Sequence, residues 1–277
     1  MPELPEVETI VRGLEPIVRG RRIESVWWSG RPLHLARPID LRGLRAVAVS
    51  RAIARVRRLG KYILVEVDGP GDAGVVIHLG MTGRLRVQPG ASLRAPHTHV
   101  VFGLDGGDEL RFVDARRFGW VAPGRSLAKV EALADLGPDA LSGFDAAALA
   151  AALTGVRAPI KAFLLDQSRI AGLGNIYASE ALFRAGIHPA TLARRVRPQA
   201  ADLLEAVQTV LAGGIARRGT TLRDYVDAAG RRGDNAAALR VYGRAGQPCP
   251  SCGAAIRKRV DAGRATFFCP SCQRLRR

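Results

Sequence analysis

The chain has 277 residues, of which 47% are hydrophobic, so it can bury the core of one large domain or of two to three smaller ones. Its 42 lysine and arginine residues exceed its 25 aspartate and glutamate residues, and the resulting net charge of +17 favours a polyanionic partner. No apolar run reaches the length of about 18 residues that a membrane span needs, and the acidic start lacks the features of a secretory signal. We therefore expect a cytoplasmic protein that does not enter a membrane.

The first predicted element is an amphipathic helix over residues 4–19. Pro5, Glu6 and Glu8 suit its first turn, where proline is tolerated and the helix dipole favours acidic groups. Apolar residues recur at helical spacing and should face a core. They are Val7, Ile10, Val11, Leu14, Ile17 and Val18.

Short β-type runs follow between residues 22 and 122. They lie at 23–28, 62–67, 75–78, 84–87, 98–102 and 109–113, with glycine-rich breaks between several of them. Many short strands of this kind are typical of a β-sandwich or a barrel.

The second half of the chain has a helical pattern. A connector at 123–145 precedes predicted helices at 146–154, 159–166, 175–185 and 199–217. Asp145 and Asn175 are expected to cap two of these helices. Residues 219–240 form a long polar, glycine-rich stretch, and loops of that length are usually functional or disordered.

The C-terminal tail predicts a metal site. Cys249 and Cys252 form one pair, sixteen residues follow, and Cys269 and Cys272 form a second pair. Two such pairs fit a tetrahedral structural zinc site, because four thiolates leave no open ligand position for catalysis. Disulfides are not expected in a cytoplasmic chain.

Basic residues surround the two cysteine pairs. They are Arg257, Lys258, Arg259, Arg264, Arg274, Arg276 and Arg277. A zinc-stabilised β-hairpin with basic edges suits a DNA groove.

Seven motifs, taken in order, carry a resemblance to a known family. They are MPELPEVET at 1–9, RRLGKY at 57–62, HLGMTG at 78–83, DARRFG at 114–119, GLGNIYASE at 172–180, GTTLRDY at 219–225 and GRATFFC at 263–269. With the four-cysteine tail, they make the chain resemble the bacterial formamidopyrimidine-DNA glycosylases. The resemblance implies an α+β protein with three domains. These are an N-terminal catalytic β-sandwich with an N-terminal helix at 1–135, a helical domain with a helix–two-turn–helix motif at 136–245, and a four-cysteine zinc-finger β-hairpin at 246–277.

The same resemblance implies catalytic residues. Once Met1 is removed, Pro2 is a secondary amine that can attack C1′ of the damaged nucleotide and form a cationic Schiff base. Glu3 would protonate the opening sugar ring. Lys61 would support proton transfer and contact phosphate, or contact phosphate alone. Arg264 would assist δ-elimination or clamp a phosphate, and those two roles overlap.

Six further residues match DNA contacts of the family. Met81, Arg116 and Phe118 would fill the space left by a flipped-out base, although Met81 and Phe118 could instead be ordinary core residues. His97, Arg157 and Asn175 would contact DNA, with Asn175 binding phosphate at the start of a helix.

The resemblance implies a base-excision repair enzyme that removes 8-oxoguanine and formamidopyrimidines from damaged double-stranded DNA and then cuts the strand by β,δ-elimination. It would act as a monomer with one structural Zn²⁺ and no organic cofactor. An alternative is an endonuclease VIII-like glycosylase for oxidised pyrimidines, although that group typically has glycine where this chain has Leu4. A second alternative is a non-catalytic zinc-finger DNA-binding protein, which would not need Pro2 and Glu3.

The chain departs from the family pattern at two places. Ala115 stands where proline usually precedes the Arg-Arg-Phe run, which removes a rigid turn residue but no chemistry. In the 219–240 loop, Asp234 and Asn235 are followed by three alanines where an aromatic residue is expected. The resemblance therefore says least about the contacts between this loop and an extruded base.

Overall fold

A computed structural model describes residues 1–34, 38–69 and 71–275. The chain divides into two compact units. Unit 1 contains Met1–Asp135 and Arg218–Asp234, and unit 2 contains Leu136–Arg217 and the chain from Asn235 onward. We call Arg218–Asp234 the 218–234 segment. The three-domain limits 1–135, 136–245 and 246–277 stay a prediction.

Unit 1 is built on two four-stranded antiparallel sheets. Its helices are α1 (Leu4–Val18), α2 (Leu41–Ala48) and α3 (Glu131–Ala134). Its strands are β1 (Ile23–Trp28), β2 (Ile53–Leu59), β3 (Tyr62–Val67), β4 (Gly74–His78), β5 (Arg84–Pro89), β6 (Thr98–Leu104), β7 (Asp108–Val113) and β8 (Trp120–Gly124). One sheet has the order β1-β6-β7-β5 and the other β2-β3-β4-β8.

Helix α1 and both sheets contribute to one hydrophobic core. Ile10 and Leu14 of α1 are buried in the same cluster as Val65 of β3 and Phe112 of β7. The spacing that predicted an N-terminal helix therefore identified the face that packs, except at Ile17, which is 48% exposed instead of facing the core. The predicted mixed fold with N-terminal sheets is confirmed.

Four elements of unit 1 were not predicted from the sequence, namely α2, α3, β2 and β8. β8 extends into the first two residues of the predicted connector, and it contains Pro123. Because β8 is an edge strand that pairs only with β4, a proline there interrupts no second ladder.

Unit 2 contains five helices among its described residues. They are α4 (Ala146–Leu153), α5 (Ile160–Leu165), α6 (Asn175–Arg184), α7 (Ala193–Val196) and α8 (Ala200–Ala216). Asp145 caps α4 as predicted, because its side chain accepts a hydrogen bond from the Ala148 N–H at 2.7 Å. The predicted cap at Asn175 is wrong. Gly174 is the N-cap of α6, and the Asn175 side chain instead donates to the carbonyl of Ala265.

The C-terminal hairpin consists of β9 (Arg257–Asp261) and β10 (Arg264–Phe268), paired antiparallel. A small core lies beneath it, where Phe267 packs with Phe183 of α6 and with Ile256. Tyr242 meets the edge of the Phe267 ring at 5.0 Å between centroids. Within residues 1–34, 38–69 and 71–275, no helix is both long and apolar enough to cross a bilayer.

Candidate functional site

The start of the chain is fixed by a capping box. Glu3 is the N-cap of α1, and its carboxylate accepts from the Glu6 N–H while the Glu6 carboxylate accepts from the Glu3 N–H at 2.8 Å. Pro2 and Glu3 are both buried. The reciprocal bonds satisfy backbone donors that a helix start leaves without partners, so they hold the first residues in one conformation.

Glu6 also connects this start to the 218–234 segment. Its second carboxylate oxygen accepts from the Thr220 N–H at 2.6 Å, and its side chain is only 1% exposed. Gly219 has a φ of 82°, and a Cβ added there would lie 2.9 Å from Cγ of Glu6. Glycine at this position therefore permits both the left-handed backbone and the close approach.

Tyr225 lies beside Glu6. Its hydroxyl lies 3.4 Å from the Glu6 carbonyl oxygen, and burial followed by the negative charge of Glu6 raises the pKa of Tyr225. The phenol consequently stays neutral at physiological pH and can donate a hydrogen bond. The sequence singled out Glu6 only as an acidic residue of the first helical turn, and nothing local in the sequence indicates its partner at Thr220.

Lys61 lies in the two-residue turn between β2 and β3. Leu59 pairs with Tyr62 across this turn, and Gly60 at its first position has a φ of 57°. Lys61 is 7% exposed. The glycine lets the chain reverse tightly, so the lysine is fixed by the ends of two strands rather than by a long loop.

An aromatic cluster stands beside Lys61. The His78 ring lies 5.0 Å from Tyr62 and 6.3 Å from Trp120, measured between ring centroids. Burial, followed by the charge of Lys61, lowers the pKa of His78 to about 4. His78 is therefore a neutral hydrogen-bonding group near neutral pH, and its Nδ1 accepts from the Gly80 N–H at 3.2 Å.

Met81, Arg116 and Phe118 are brought together on two adjacent loops of unit 1. Met81 is 40% exposed and Phe118 is 44% exposed, so neither is an ordinary core residue. The Arg116 guanidinium lies over the Phe118 ring at 4.6 Å, a cation–π distance. These loops present an apolar and cationic surface of the type that can replace an extruded base.

His97 and Arg157 are exposed but do not share an element with those loops. His97 immediately precedes β6 and has a φ of 65°, while Arg157 lies between α4 and α5. Either side chain is accessible to a ligand, and their roles stay predictions.

Asn175 and Lys161 meet at the base of the hairpin in unit 2. The carbonyl of Ala265 accepts from Nδ2 of Asn175 at 2.8 Å and from Nζ of Lys161 at 3.1 Å. Lys161 also donates to Oγ1 of Thr266 at 2.6 Å. Because Arg264 directly precedes Ala265, these bonds fix the strand from which the exposed Arg264 side chain extends.

The four cysteines fit one zinc ion. Their sulfur atoms all lie within 4.8 Å of one another, with Cys249 and Cys272 at 3.9 Å and Cys252 and Cys269 at 3.4 Å. Zinc–sulfur bonds of about 2.3 Å in a tetrahedron require separations of this order. The predicted structural zinc site is confirmed as a four-cysteine cluster suited to one metal ion.

The surface beside the zinc cluster is basic. Arg257, Lys258, Arg259, Arg264 and Arg274 are exposed, whereas Arg276 and Arg277 lie outside the described residues. A metal-stabilised hairpin with this charge can contact phosphates. A sandwich unit, a helical unit and such a hairpin together define a zinc-containing DNA-binding protein.

Comparison with known proteins identifies the family. The formamidopyrimidine-DNA glycosylase N-terminal domain matches residues 1–121, the H2TH domain of the same enzymes matches 136–226, and the zinc finger found in FPG and IleRS matches 246–275. The formamidopyrimidine-DNA glycosylase of Moorella thermoacetica is 51% identical over 257 residues, covering 91% of this chain and 92% of the relative.

Solved structures agree with the family match. The MutM (Fpg) protein of Thermus thermophilus has a TM-score of 0.86 and 39% identity, with 100% of both chains covered. Wild-type Lactococcus lactis Fpg (MutM), in complex with DNA containing N7-benzyl-Fapy-dG, has a TM-score of 0.88 and 32% identity, covering 99% of this chain and 100% of that one. The chain belongs to the formamidopyrimidine-DNA glycosylase family, and it is a DNA glycosylase of base-excision repair.

Proposed function

We propose that this glycosylase removes 8-oxoguanine and formamidopyrimidines from duplex DNA and then cleaves the strand at the resulting abasic site. The observation that carries the proposal is the buried Pro2–Glu3 start, held by the capping box with Glu6. A fixed terminal amine next to a carboxylate is a nucleophile with an acid–base partner. The names of the relatives, and the formamidopyrimidine lesion in the Lactococcus lactis complex, support the substrate class.

The proposed chemistry begins after Met1 is removed. The nitrogen of Pro2 forms a bond to C1′ as the glycosidic bond to the damaged base breaks, and the base leaves with a proton. Ring opening then gives a cationic iminium. Loss of a C2′ proton expels the 3′-phosphate, and a second elimination expels the 5′-phosphate. Water finally hydrolyses the iminium, which releases the sugar remnant and restores the amine of Pro2.

Other residues have defined proposed roles in this sequence. Glu3 gives a proton to the ring oxygen of the sugar as the ring opens. Lys61 supports proton transfer and contacts a phosphate near the lesion, and its fixed position in a two-residue turn suits that task. Arg264 assists the second elimination by neutralising the departing phosphate.

The DNA contacts are proposed on the same basis. Met81, Arg116 and Phe118 occupy the space of the flipped-out nucleotide, and Arg116 contacts the base left opposite. His97, Arg157 and Asn175 contact the DNA, and Asn175 binds a phosphate. The exposure of Met81 and Phe118 favours this role over core packing.

A trapping experiment tests the nucleophile. Borohydride added during turnover on an 8-oxoguanine duplex should reduce the iminium and leave DNA attached to the N-terminal peptide, which mass spectrometry can locate. The matched control carries a removable N-terminal extension. It should neither cleave nor be trapped before the extension is removed, and both activities should appear once the chain begins at Pro2. An adduct on Lys61, formed by fully active extended protein, would overturn the assignment of Pro2.

A panel of labelled duplexes separates the two glycosylase functions. We expect excision of 8-oxoguanine opposite cytosine, weaker excision of thymine glycol opposite adenine, and no cutting of undamaged DNA. Preferential cutting at thymine glycol would identify an endonuclease VIII-like enzyme instead. Binding without any cutting would indicate a non-catalytic DNA-binding protein.

We also propose the oligomeric state of the enzyme and the compartment in which it works. A monomer working on chromosomal DNA in the cytoplasm accounts for the net charge of +17 without a further subunit. Light scattering of the free protein and of its complex with a short duplex tests the monomer, because a second protein copy would add the mass of another chain.

A further inference from the structure

The loops that carry Met81 and Phe118 are in direct backbone contact. Gly80 has a φ of 60°, and a Cβ added there would collide with the backbone of Phe118 and Gly119. A Cβ on Gly119 would lie 2.6 Å from the carbonyl oxygen of His78. Side chains are therefore excluded at both glycines, and neither loop can move without displacing the other.

One buried carboxylate joins these loops. Asp114 is 0% exposed, and its Oδ2 accepts from the Gly119 N–H at 2.7 Å. Its Oδ1 accepts from the Thr82 hydroxyl and, at 3.3 Å, from the Arg116 N–H. The Thr82 oxygen in turn lies 3.2 Å from the same Arg116 N–H. Hydrogen bonds to a charged acceptor are roughly twice as strong as neutral ones.

Asp114 is itself held firmly by the sandwich. It directly follows β7, and its backbone N–H donates to the carbonyl of His97 at 3.0 Å. Its carbonyl oxygen lies 3.0 Å from Nε2 of His99, whose Nδ1 lies 3.1 Å from the Ser29 hydroxyl. The sheet therefore fixes Asp114, and the carboxylate of Asp114 in turn fixes the positions of both loops.

We propose that Asp114, together with Thr82, is a positioning residue that holds Met81, Arg116 and Phe118 in the arrangement required to replace the flipped-out base. This inference rests on the proposed function, because it assumes that these three residues fill the vacated space. It adds that the surface is built before DNA arrives, since the bonds and the Arg116–Phe118 contact are already present in the free chain. Preorganisation of this kind lowers the cost of binding.

The first test replaces Thr82 with valine, which keeps the side-chain shape and removes the hydroxyl between the loops. We expect the preference for 8-oxoguanine opposite cytosine over 8-oxoguanine opposite adenine to fall by about 3- to 10-fold in single-turnover excision. Asp114→Asn should lower it further, because one amide hydrogen donor would face the backbone donors. Thr154→Val is the matched control, because its hydroxyl donates to the carbonyl of Ala150 in unit 2.

A double-mutant cycle shows whether Thr82 acts through Arg116. Arg116→Ala alone should reduce the opposing-base preference, and Thr82→Val should reduce it no further in that background. An additive effect, or an unchanged preference in Thr82→Val, would overturn the positioning role. Absence of excision by the wild type on every duplex would instead refute the proposed function. The Thr82 variant keeps the test decisive if Asp114→Asn fails to fold.

Discussion

Glu6 and Thr220 are 214 positions apart in the chain, yet the Glu6 carboxylate accepts a hydrogen bond from the Thr220 N–H at 2.6 Å. The other oxygen of the same carboxylate accepts from the Glu3 N–H at 2.8 Å. One buried side chain therefore sets the position of the chain start and of the 218–234 segment together. A shift of the chain start should therefore displace the 218–234 segment, and a shift of that segment should displace the chain start.

Replacing Glu6 should loosen the 218–234 segment. In Glu6→Ala, the Thr220 and Glu3 N–H groups lose a charged acceptor in a buried place, which costs about 1–3 kcal/mol for each group left without a partner. Hydrogen exchange measured by mass spectrometry should show faster exchange in the 218–234 segment and at the start of α1, with the β6–β7 pair unchanged. Glu24→Gln, an exposed loss of the same charge, is the control. Equal protection in Glu6→Ala would contradict the connection.

Zinc should stabilise the hairpin and its small core, but not the sheets of unit 1. Structural zinc contributes about 10–16 kcal/mol of apparent binding free energy in zinc-finger peptides at pH 7. Cys249→Ser and Cys269→Ser should therefore lose bound zinc and duplex affinity while the β-sheet circular dichroism persists. Ser251→Ala keeps all four sulfurs and should behave as the wild type. Full DNA affinity in a metal-free protein would show that the hairpin does not depend on zinc.

His78 should make the protein less stable in mild acid. Its pKa is lowered to about 4, chiefly by burial and then by the charges of Lys61 and His34, whereas Asp114 opposes the shift. Because the unfolded chain binds this proton more tightly, at a pKa near 6.5, the contribution of neutral His78 is complete above pH 6.5 and is lost as the pH falls towards 4.

Denaturant unfolding between pH 4 and 7 can isolate this contribution. His78→Asn retains an acceptor for the Gly80 N–H but does not titrate. The free energy of unfolding of this variant should therefore fall less steeply as the pH is lowered, and the difference from the wild type should correspond to at most about one proton per molecule. Identical pH slopes in the two proteins would show that folding does not change the proton affinity of His78.

Duplex binding should weaken steeply with salt. If about 5 phosphates are neutralised, the slope of log K against log salt should be about −4 to −5. Arg264→Ala should make that slope shallower by about 1, as expected for the loss of one phosphate contact. Fluorescence anisotropy on undamaged duplex between low and moderate salt measures both slopes. A slope near zero would show that the excess positive charge does not contribute to DNA binding.

Features encoded by local patterns were predictable from the sequence. α1 has a continuous apolar face with proline and acidic groups at its start, and the cysteine pairs define their own geometry. β2 was missed because three arginines interrupt its apolar pattern, and β8 because Pro123 suggests a loop. α2 is short and contains Gly43, so its propensity is weak.

Long-range hydrogen bonds explain the remaining differences at the candidate site. Asn175 has the side chain of a good N-cap, but α6 begins at Asn175 with Gly174 as its cap, and the Asn175 side chain instead donates to the carbonyl of Ala265. Asp114 and Glu6 are notable only for the partners they reach across the fold. Spacing along the chain carries no trace of such partners, so the sequence alone identified the matched motifs and not the carboxylates that support them.

The order of the chain has a consequence for synthesis. Unit 1 is interrupted, because about 80 residues of unit 2 lie between Asp135 and Arg218. At about 5–20 residues per second, a ribosome needs roughly 4–16 s to make that insertion. Throughout this interval the nascent sandwich lacks the 218–234 segment, so the Glu6 carboxylate lacks the Thr220 N–H as a hydrogen-bond donor. A truncated protein ending at Asp135 would stay in that incomplete state permanently, so a fragment meant to reproduce the catalytic half must carry the later segment as well.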